Sequence, residues 1–212
     1  MAKTDSPIVS DVPSYALEAA ARARGLNCVA GIDEAGRGPL AGPVVAAAVV
    51  LDPNRIPEGL NDSKKMTEAR RRAVFTEILA SAAVGLCAAP VEVIDRLNIR
   101  GATLWAMCGA LEALAVRPDL ALVDGRDVPE GLSCAGEPVI GGDGKSLSIA
   151  AASIVAKVVR DSMCPTMDRG HPHFDFAQHK GYGTAAHLEA LIAHGPTELH
   201  RQSFAPVMAA RR

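Results

Sequence analysis

The stretch Val29-Ala30-Gly31-Ile32-Asp33-Glu34-Ala35-Gly36-Arg37-Gly38-Pro39-Leu40-Ala41-Gly42-Pro43-Val44-Val45-Ala46-Ala47-Ala48-Val49-Val50-Leu51 decides the class of fold. A strand is predicted from Leu26 to Asp33, closing on two acids, and a Gly/Pro-punctuated turn follows from Gly36 to Gly42. The next run, Val44 to Leu51, is apolar at nearly every position and is bounded by Pro43 and Asp52-Pro53. Continuous rather than alternating hydrophobicity marks a strand covered on both faces.

Working outward, Tyr15 to Arg24 reads as a short amphipathic helix, and Thr67 to Ala80 as a helix with Thr67 as N-cap. Val84 to Val91 reads as a strand ended by Pro90, and Ile99 to Val116 as a long helix stopped by Pro118. Leu120 to Asp124 is a short strand that ends on an acid. Pro138 to Ile140 is a weaker strand, Leu147 to Met163 a helix, and a last helix lies near Thr184 to Ala193. Strands come early and alternate with helices later, which predicts a mixed α/β layer architecture. No long linker cuts the chain, so a single domain over residues 1–212 is expected.

With 212 residues the chain suits one substantial domain. Hydrophobic residues at 49% and charged residues at 22% exclude disordered and collagen-like classes. Aromatic residues supply only 3%, so Ala, Val, Leu and Ile must build the core. A net charge of -2 gives no global pull towards nucleic acid, although a basic patch can hide in a balanced sum. The longest uncharged runs, Gly38 to Leu51 and Ile78 to Val91, fall short of the roughly 20 residues that span a bilayer. Residues 1–12 lack the apolar centre of a secretory signal. The five cysteines are scattered, odd in number and without C-x-x-C spacing, as expected of reduced thiols in a cytoplasmic protein.

The chemistry gathers at strand ends. Asp33 and Glu34 close the first strand, Asp124 closes another, and Asp143 sits in a Gly-rich turn before a helix. Carboxylates that converge cannot all remain ionised and unpaired, so such a site takes up protons or hard divalent cations, Mg2+ or Mn2+. Two ions roughly 3.5–4 Å apart would clamp the attacking and leaving oxygens of a phosphodiester. Neighbours on a regular strand face opposite ways, so Asp33 and Glu34 call for a backbone turn at Glu34. The alternative is that these acids merely cap helices and decorate loops.

Two nucleotide-binding motifs fail on context. Gly36-Arg37-Gly38-Pro39-Leu40-Ala41 fits G-x-G-x-x-A, yet Pro43 and Val44-Val45 follow where a helix should open. Gly144-Lys145-Ser146 ends like a P-loop, but its first glycine would fall on Val139. Asp62-Ser63-Lys64-Lys65 and Arg70-Arg71-Arg72 form a basic cluster, with Lys145, Lys157, Arg160, Lys180 and Arg201 downstream. These cations either position phosphates or line a solvated helix face. The six histidines match no zinc spacing, and most are expected at the surface. Tyr182 lies between two glycines in His179-Lys180-Gly181-Tyr182-Gly183, where an aromatic ring either packs or stacks on a sugar or base.

Taken in order, five segments resemble the ribonuclease HII (type 2 RNase H) family. They are Gly31 to Pro43, Asp62-Ser63-Lys64-Lys65, Leu122-Val123-Asp124-Gly125, Gly142 to Ile154, and His179-Lys180-Gly181-Tyr182-Gly183-Thr184. Gly195-Pro196 and Arg201-Gln202-Ser203-Phe204-Ala205-Pro206 follow behind the fifth. The resemblance implies an RNase H-like α/β fold, a mixed central sheet flanked by helices, with a core of about 27–165 and a C-terminal helical extension of about 166–212. It implies endonucleolytic cleavage of RNA in RNA–DNA hybrids, including single ribonucleotides embedded in duplex DNA, by two ions of Mg2+ or Mn2+. The metal-binding carboxylates would be Asp33, Glu34, Asp124 and Asp143. Gly36, Arg37 and Gly38 would face the 2′-hydroxyl, Tyr182 the sugar at the junction, and Lys64, with Lys145, the substrate backbone. No large N-terminal substrate-binding domain precedes Val29, unlike type HIII enzymes, and no sliding-clamp peptide is evident at the C-terminus. A monomer acting on nucleic acid, away from membranes, is expected. The rivals are a non-catalytic binding module, which would have no need of all four acids, and a DNA nuclease, which would have no need of the glycine turn and Tyr182 together.

Overall fold

A computed structural model describes residues 12–211. The N-terminal segment judged to carry no secretory signal therefore lies almost wholly outside the described residues, as does Arg212. The elements run α1 (Ala16–Ala23), β1 (Val29–Ala35), β2 (Val44–Leu51), α2 (Glu68–Ser81), β3 (Ala82–Ala89), α3 (Val91–Glu112), β4 (Leu120–Asp124), β5 (Ala135–Val139), α4 (Leu147–Gly170), α5 (Phe176–His179), α6 (Ala185–His194) and α7 (Ala205–Ala209). Five strands form one mixed sheet in the order β3-β2-β1-β4-β5. The hairpin β1–β2 and the pair β2–β3 are antiparallel, while β4 and β5 run parallel to β1. The mixed α/β architecture expected from the sequence is the one observed.

The centre of the sheet is buried on both sides, as the unbroken run of β2 requires. On one face Ala30, Ile32, Ala46 and Ala48 pack under Ala102, Ala106 and Ala110 of α3. On the other, Ala35, Ala47 and Val49 meet Ala151, Ile154 and Val155 of α4. Small side chains on both partners let helix and sheet approach closely, which is how a chain with few aromatics fills its core. The approach is close at Gly31, where any Cβ would fall within 2.3 Å of the Ser148–Ile149 backbone, and at Gly85, where it would fall 2.1 Å from the Ala110 carbonyl oxygen.

Three boundaries differ from expectation. First, α3 begins at Val91, where the expected strand ended and eight residues before the expected helix. Its first limb is separated from the expected helix at Ile99 by Asn98, which has φ 57°. The Asn98 side chain accepts from the N–H groups of Arg100 and Gly101 and so caps the second limb. Second, α4 continues past Met163 through Pro165 to Gly170. Packing outweighs the proline there: Cys164 is buried and Met167 lies against Gly42. Third, β5 starts earlier than expected and holds Pro138, which an edge strand tolerates. The five cysteines are free thiols. No described helix is long and apolar enough to cross a membrane.

Beyond α4 the chain builds a further apolar cluster, Phe174, Phe176, Leu191 and Val207, closed over Leu40 and Ala41. The Gly/Pro turn between β1 and β2 is thus sandwiched between the sheet and this C-terminal helical region.

Candidate active site

Asp33 and Glu34 stand at the end of β1, Asp124 at the end of β4, and Asp143 in a single 3-10 turn, Gly142–Gly144, just after β5. Parallel pairing sets Ile32 opposite Val123. Carried one residue further, that register brings Asp33 beside Asp124. No turn occurs at Glu34: the strand runs to Ala35 and the chain turns at Gly36, whose φ of +95° suits glycine. Asp33 and Glu34 therefore leave opposite faces of the strand end. They still reach one rim, since the charges of Glu34, Asp124 and Asp143 all act on Asp33.

The electrostatics follow from this crowding. Burial first, then Glu34 and Asp124, push the Asp33 carboxyl well above the usual carboxylate range, against one hydrogen bond from the Glu34 N–H at 2.7 Å. Burial also raises Glu34, opposed by Arg37, whose guanidinium lies 3.3 Å away. Asp143 is raised by burial, then by Asp62 and Asp124, with Lys64 opposing from 3.9 Å. Partial burial works against the charge of Lys64, yet Asp143, Asp33, Asp62 and Asp124 together hold its ammonium above its ordinary value. Asp124 accepts from the Gly142 N–H at 2.6 Å. As they stand, no three acid, histidine or cysteine side chains among the described residues are grouped to hold a metal ion. Glu34 leans on Arg37 and Asp143 towards Lys64. The donor set itself, all oxygen, crowded and negative, suits a hard divalent cation that would replace those two cations.

A cleft of about 310 Å³ opens beside the carboxylates. Glu34, Gly36, Arg37, Gly38, Lys64 and Tyr182 line it, together with Ser63, Ser153 and Lys157. The Ser63 and Ser153 hydroxyls are 2.7 Å apart. Tyr182 is 45% exposed, and its ring edge lies against Gly38, where an added Cβ would come within 3.3 Å. Lys145 is not brought into the cleft; its ammonium donates to the Ile140 carbonyl at 2.7 Å. A larger apolar cavity of about 640 Å³, lined by Pro43, Pro90, Met163 and Met167 among others, holds none of the four carboxylates.

Several cations do other work than phosphate positioning. Arg160 and Arg201 are buried. Arg201 donates to the carbonyls of Gly36, Arg37, Gly42 and Pro43, and Arg160 to those of Ala41, Pro43 and Lys180. They hold the shape of the glycine turn, because carbonyls folded inwards need donors that water cannot supply. Arg71 donates to the carbonyls of Ser63 and Met66 and so fixes the segment that presents Lys64. Arg70 serves the Glu58 carbonyl, while Arg72 pairs with Glu68 on the helix surface. The histidines are not mostly at the surface: only His173 and His194 are exposed, and His187 and His200 are fully buried. Their partners are Phe174 and Phe176, so the region's apolar core recruits imidazoles as packing groups.

Residues 30–207 match the family model described as Ribonuclease HII. The chain belongs to the ribonuclease HII family. It is 54% identical over 207 residues to ribonuclease HII of Rhizobium etli, covering 96% of this chain and 90% of that one. Among solved structures it resembles ribonuclease H2 from Pyrococcus horikoshii OT3, with a TM-score of 0.71 and 24% identity over 86% of this chain and 96% of that chain. It shares the fold of Bst-RNase HIII in complex with Mn2+, with a TM-score of 0.58 and 19% identity over 86% of this chain and 68% of that chain. As a ribonuclease HII the chain is a metal-dependent endonuclease of the ribonuclease H type, and its family cleaves RNA in RNA–DNA hybrids.

Proposed function

We propose that this ribonuclease HII cuts the RNA strand of hybrids and the 5′ side of single ribonucleotides in duplex DNA, leaving 5′-phosphate and 3′-hydroxyl ends. The observation that carries this reading is a cleft in which Glu34 meets the Gly36–Gly38 turn and Tyr182, with Asp33, Asp124 and Asp143 crowded beside it at the same strand ends. Asp33, Glu34, Asp124 and Asp143 would hold two ions of Mg2+ or Mn2+ through their crowded carboxylate oxygens. When bound, such ions supply an activated water and neutralise the departing 3′-oxygen. The Mn2+ in the fold relative Bst-RNase HIII is consistent with that donor set.

The chain's own groups would do the rest. The turn lets a sugar approach because no Cβ intervenes at Gly38, while the positive φ of Gly36 turns the backbone there, and reading a 2′-hydroxyl at this turn separates RNA from DNA. Tyr182, held over Gly38, would stack on the sugar at the junction. Lys64 and Arg37, released from Asp143 and Glu34 when cations enter, would be free to meet the phosphate backbone, with Lys145 contacting it further out. We assign the protein to the cytoplasm as a monomer, with the catalytic core at about 27–165 and residues 166–212 as a substrate-binding segment; α4 runs through that division.

The test uses two duplexes that differ by one 2′-hydroxyl, each incubated with Mg2+ or Mn2+. Cleavage confined to the ribonucleotide-containing duplex is expected. Comparable cutting of the all-DNA duplex would overturn the reading in favour of a general nuclease.

A further inference from the structure

Tyr182 stands on a short loop after α5, and its placement traces back to a chain of hydrogen bonds through two buried imidazoles. The Thr197 N–H donates to His200 Nδ1 at 3.0 Å. His200 Nε2 faces His187 Nε2 at 3.0 Å. His187 Nδ1 in turn faces the Tyr182 carbonyl at 2.9 Å. These contacts determine one tautomer for each ring. A backbone N–H can only donate, so His200 Nδ1 must accept and its proton sits on Nε2. That proton points at His187 Nε2, which must accept and leave the His187 proton on Nδ1. A carbonyl can only accept, and the Tyr182 carbonyl does so. Every link therefore has a single polarity, running from Thr197 to Tyr182.

Both rings must be neutral for this to work, since a second proton on either would set two N–H groups against each other. Their surroundings keep them so. Phe176 meets His187 edge-on at 5.5 Å, and Phe174 lies 4.7 Å from His200. Burial, then the neighbouring His187 and His171, hold His200 down to about 4, while burial lowers His187. The other titratable groups facing the pair are His179, stacked on His187 at 4.5 Å, and Glu198 beside His200. The same C-terminal segment also grips the glycine turn. Leu199 accepts from the Gly42 N–H, the Arg201 N–H donates to Leu40, and the Leu40 N–H donates to the Gly181 carbonyl.

We propose that His187 and His200 are positioning residues for ribonucleotide recognition, a directional imidazole relay that sets the height of Tyr182 over the Gly36–Gly38 turn. This rests on the reading of Tyr182 as the residue that meets the sugar at the junction. The relay puts no group on the substrate; it fixes where the tyrosine loop sits relative to the turn.

Two substitutions separate the two ends of His187. In His187→Asn the side-chain NH2 takes the place of Nδ1 and can still donate to Tyr182. In His187→Gln the amide takes the place of Nε2, keeps the His200 end and gives up Tyr182. The readout is kcat/KM on a duplex with one embedded ribonucleotide divided by that on a long hybrid. His187→Gln should lower this ratio about five- to tenfold, the worth of one hydrogen bond, and His187→Asn should leave it within about twofold. Equal effects of the two variants on both substrates would overturn the relay as a positioning device. Tyr182→Ala is measured alongside. If it leaves the ratio unchanged, the junction role of Tyr182 fails; if it lowers the ratio while His187→Gln does not, the relay alone fails. Should the variants not fold, 15N NMR of the unaltered protein still decides: Nδ1 protonated on His187 and Nε2 protonated on His200 support the relay, and any other pair of tautomers overturns it.

Discussion

Arg201 donates to the Gly36 carbonyl at 2.5 Å from 165 residues further along the chain. The same guanidinium serves Arg37, Gly42 and Pro43, so one planar fork determines the shape of the turn that faces the cleft. Burial, then Arg160, pushes its pKa down to about 9, which still leaves it charged at neutral pH. The guanidinium's hydrogen bonds all go to carbonyls, and Asp95 supports its charge from a distance.

Arg201→Lys is therefore not a conservative change. A lysine ammonium has three donors and no planar fork, and it cannot reach four carbonyls spread around the turn. The expected loss is about 2–4 kcal/mol of stability from unsatisfied buried carbonyls. Thermal unfolding checks this, and a melting temperature unchanged from the parent would contradict it. Among molecules that remain folded, activity on a single embedded ribonucleotide should fall further than activity on long hybrids, because the turn is what meets the ribonucleotide.

The crowded acids predict a stability effect of opposite sign. Burial and neighbouring charges raise Asp33 well above its ordinary value, and they raise Glu34 and Asp143 as well. The unfolded chain therefore gives up these protons before the folded chain does. Without divalent ions, stability falls as pH climbs from the ordinary carboxylate range, about 4, to the raised folded values, and stays lower above them. Asp33→Asn removes the largest part of that penalty. It should melt above the parent at pH 8, with the gap closing towards about pH 4, and should lose cleavage. Mg2+ or Mn2+ should raise the melting temperature of the parent more than that of the variant. A variant that melts lower at pH 8, or still cuts near the parent rate, would refute the four-carboxylate site.

How much of this was legible depends on where each residue's partner lies. Strand β2 could be read from Val44 to Leu51 because a run apolar at every position fits only a strand covered on both faces. The four acids could be read because each ends an apolar run or stands in a glycine turn. The start of α3 could not, since Val91 and Val93 continue the apolar pattern of the preceding strand and only the left-handed φ of Asn98 divides the limbs. Arg160 and Arg201 look like surface cations because their partners are carbonyls, which leave no mark on side-chain patterning. His187 and His200 were hidden for a related reason, each being the other's partner across thirteen residues.

The tight contact between Gly38 and Tyr182 gives a graded pair of substitutions. At Gly36 the backbone has φ +95° and an added Cβ would fall 2.0 Å from Arg160 Nε. Gly36→Ala should cost the fold itself, through both strain and the displaced arginine. At Gly38 the only obstacle among the described residues is the Tyr182 ring at 3.3 Å. Gly38→Ala should melt near the parent but lift the ring, so that discrimination between ribonucleotide and deoxyribonucleotide falls about tenfold or more. Circular dichroism melts and the two-duplex assay separate the cases. Equal melting temperatures for the two variants would contradict the assigned difference.

Glu18, which the amphipathic pattern of α1 would place on a polar surface, is fully buried. Its Oε1 accepts the Ser146 hydroxyl at 2.6 Å and the Ser148 N–H at 2.8 Å, while Ser146 itself caps α4 by accepting the Ile149 N–H. A carboxylate from one helix thus seals the start of another, where the helix dipole favours negative charge. The sealed end begins three residues after Asp143, in a turn whose Lys145 carbonyl also accepts the Ser14 N–H. Glu18→Ala leaves a hydroxyl and an N–H without partners and should cost about 2–4 kcal/mol. Glu18→Gln keeps the Oε1 acceptor but not the charge, and should cost nearer to 1 kcal/mol. Because the loosened turn carries Asp143, kcat should fall while KM for the hybrid changes little, and more Mg2+ should be needed for half-maximal rate. Unchanged melting in Glu18→Ala, or a loss confined to KM, would show that the seal does not reach the carboxylate site.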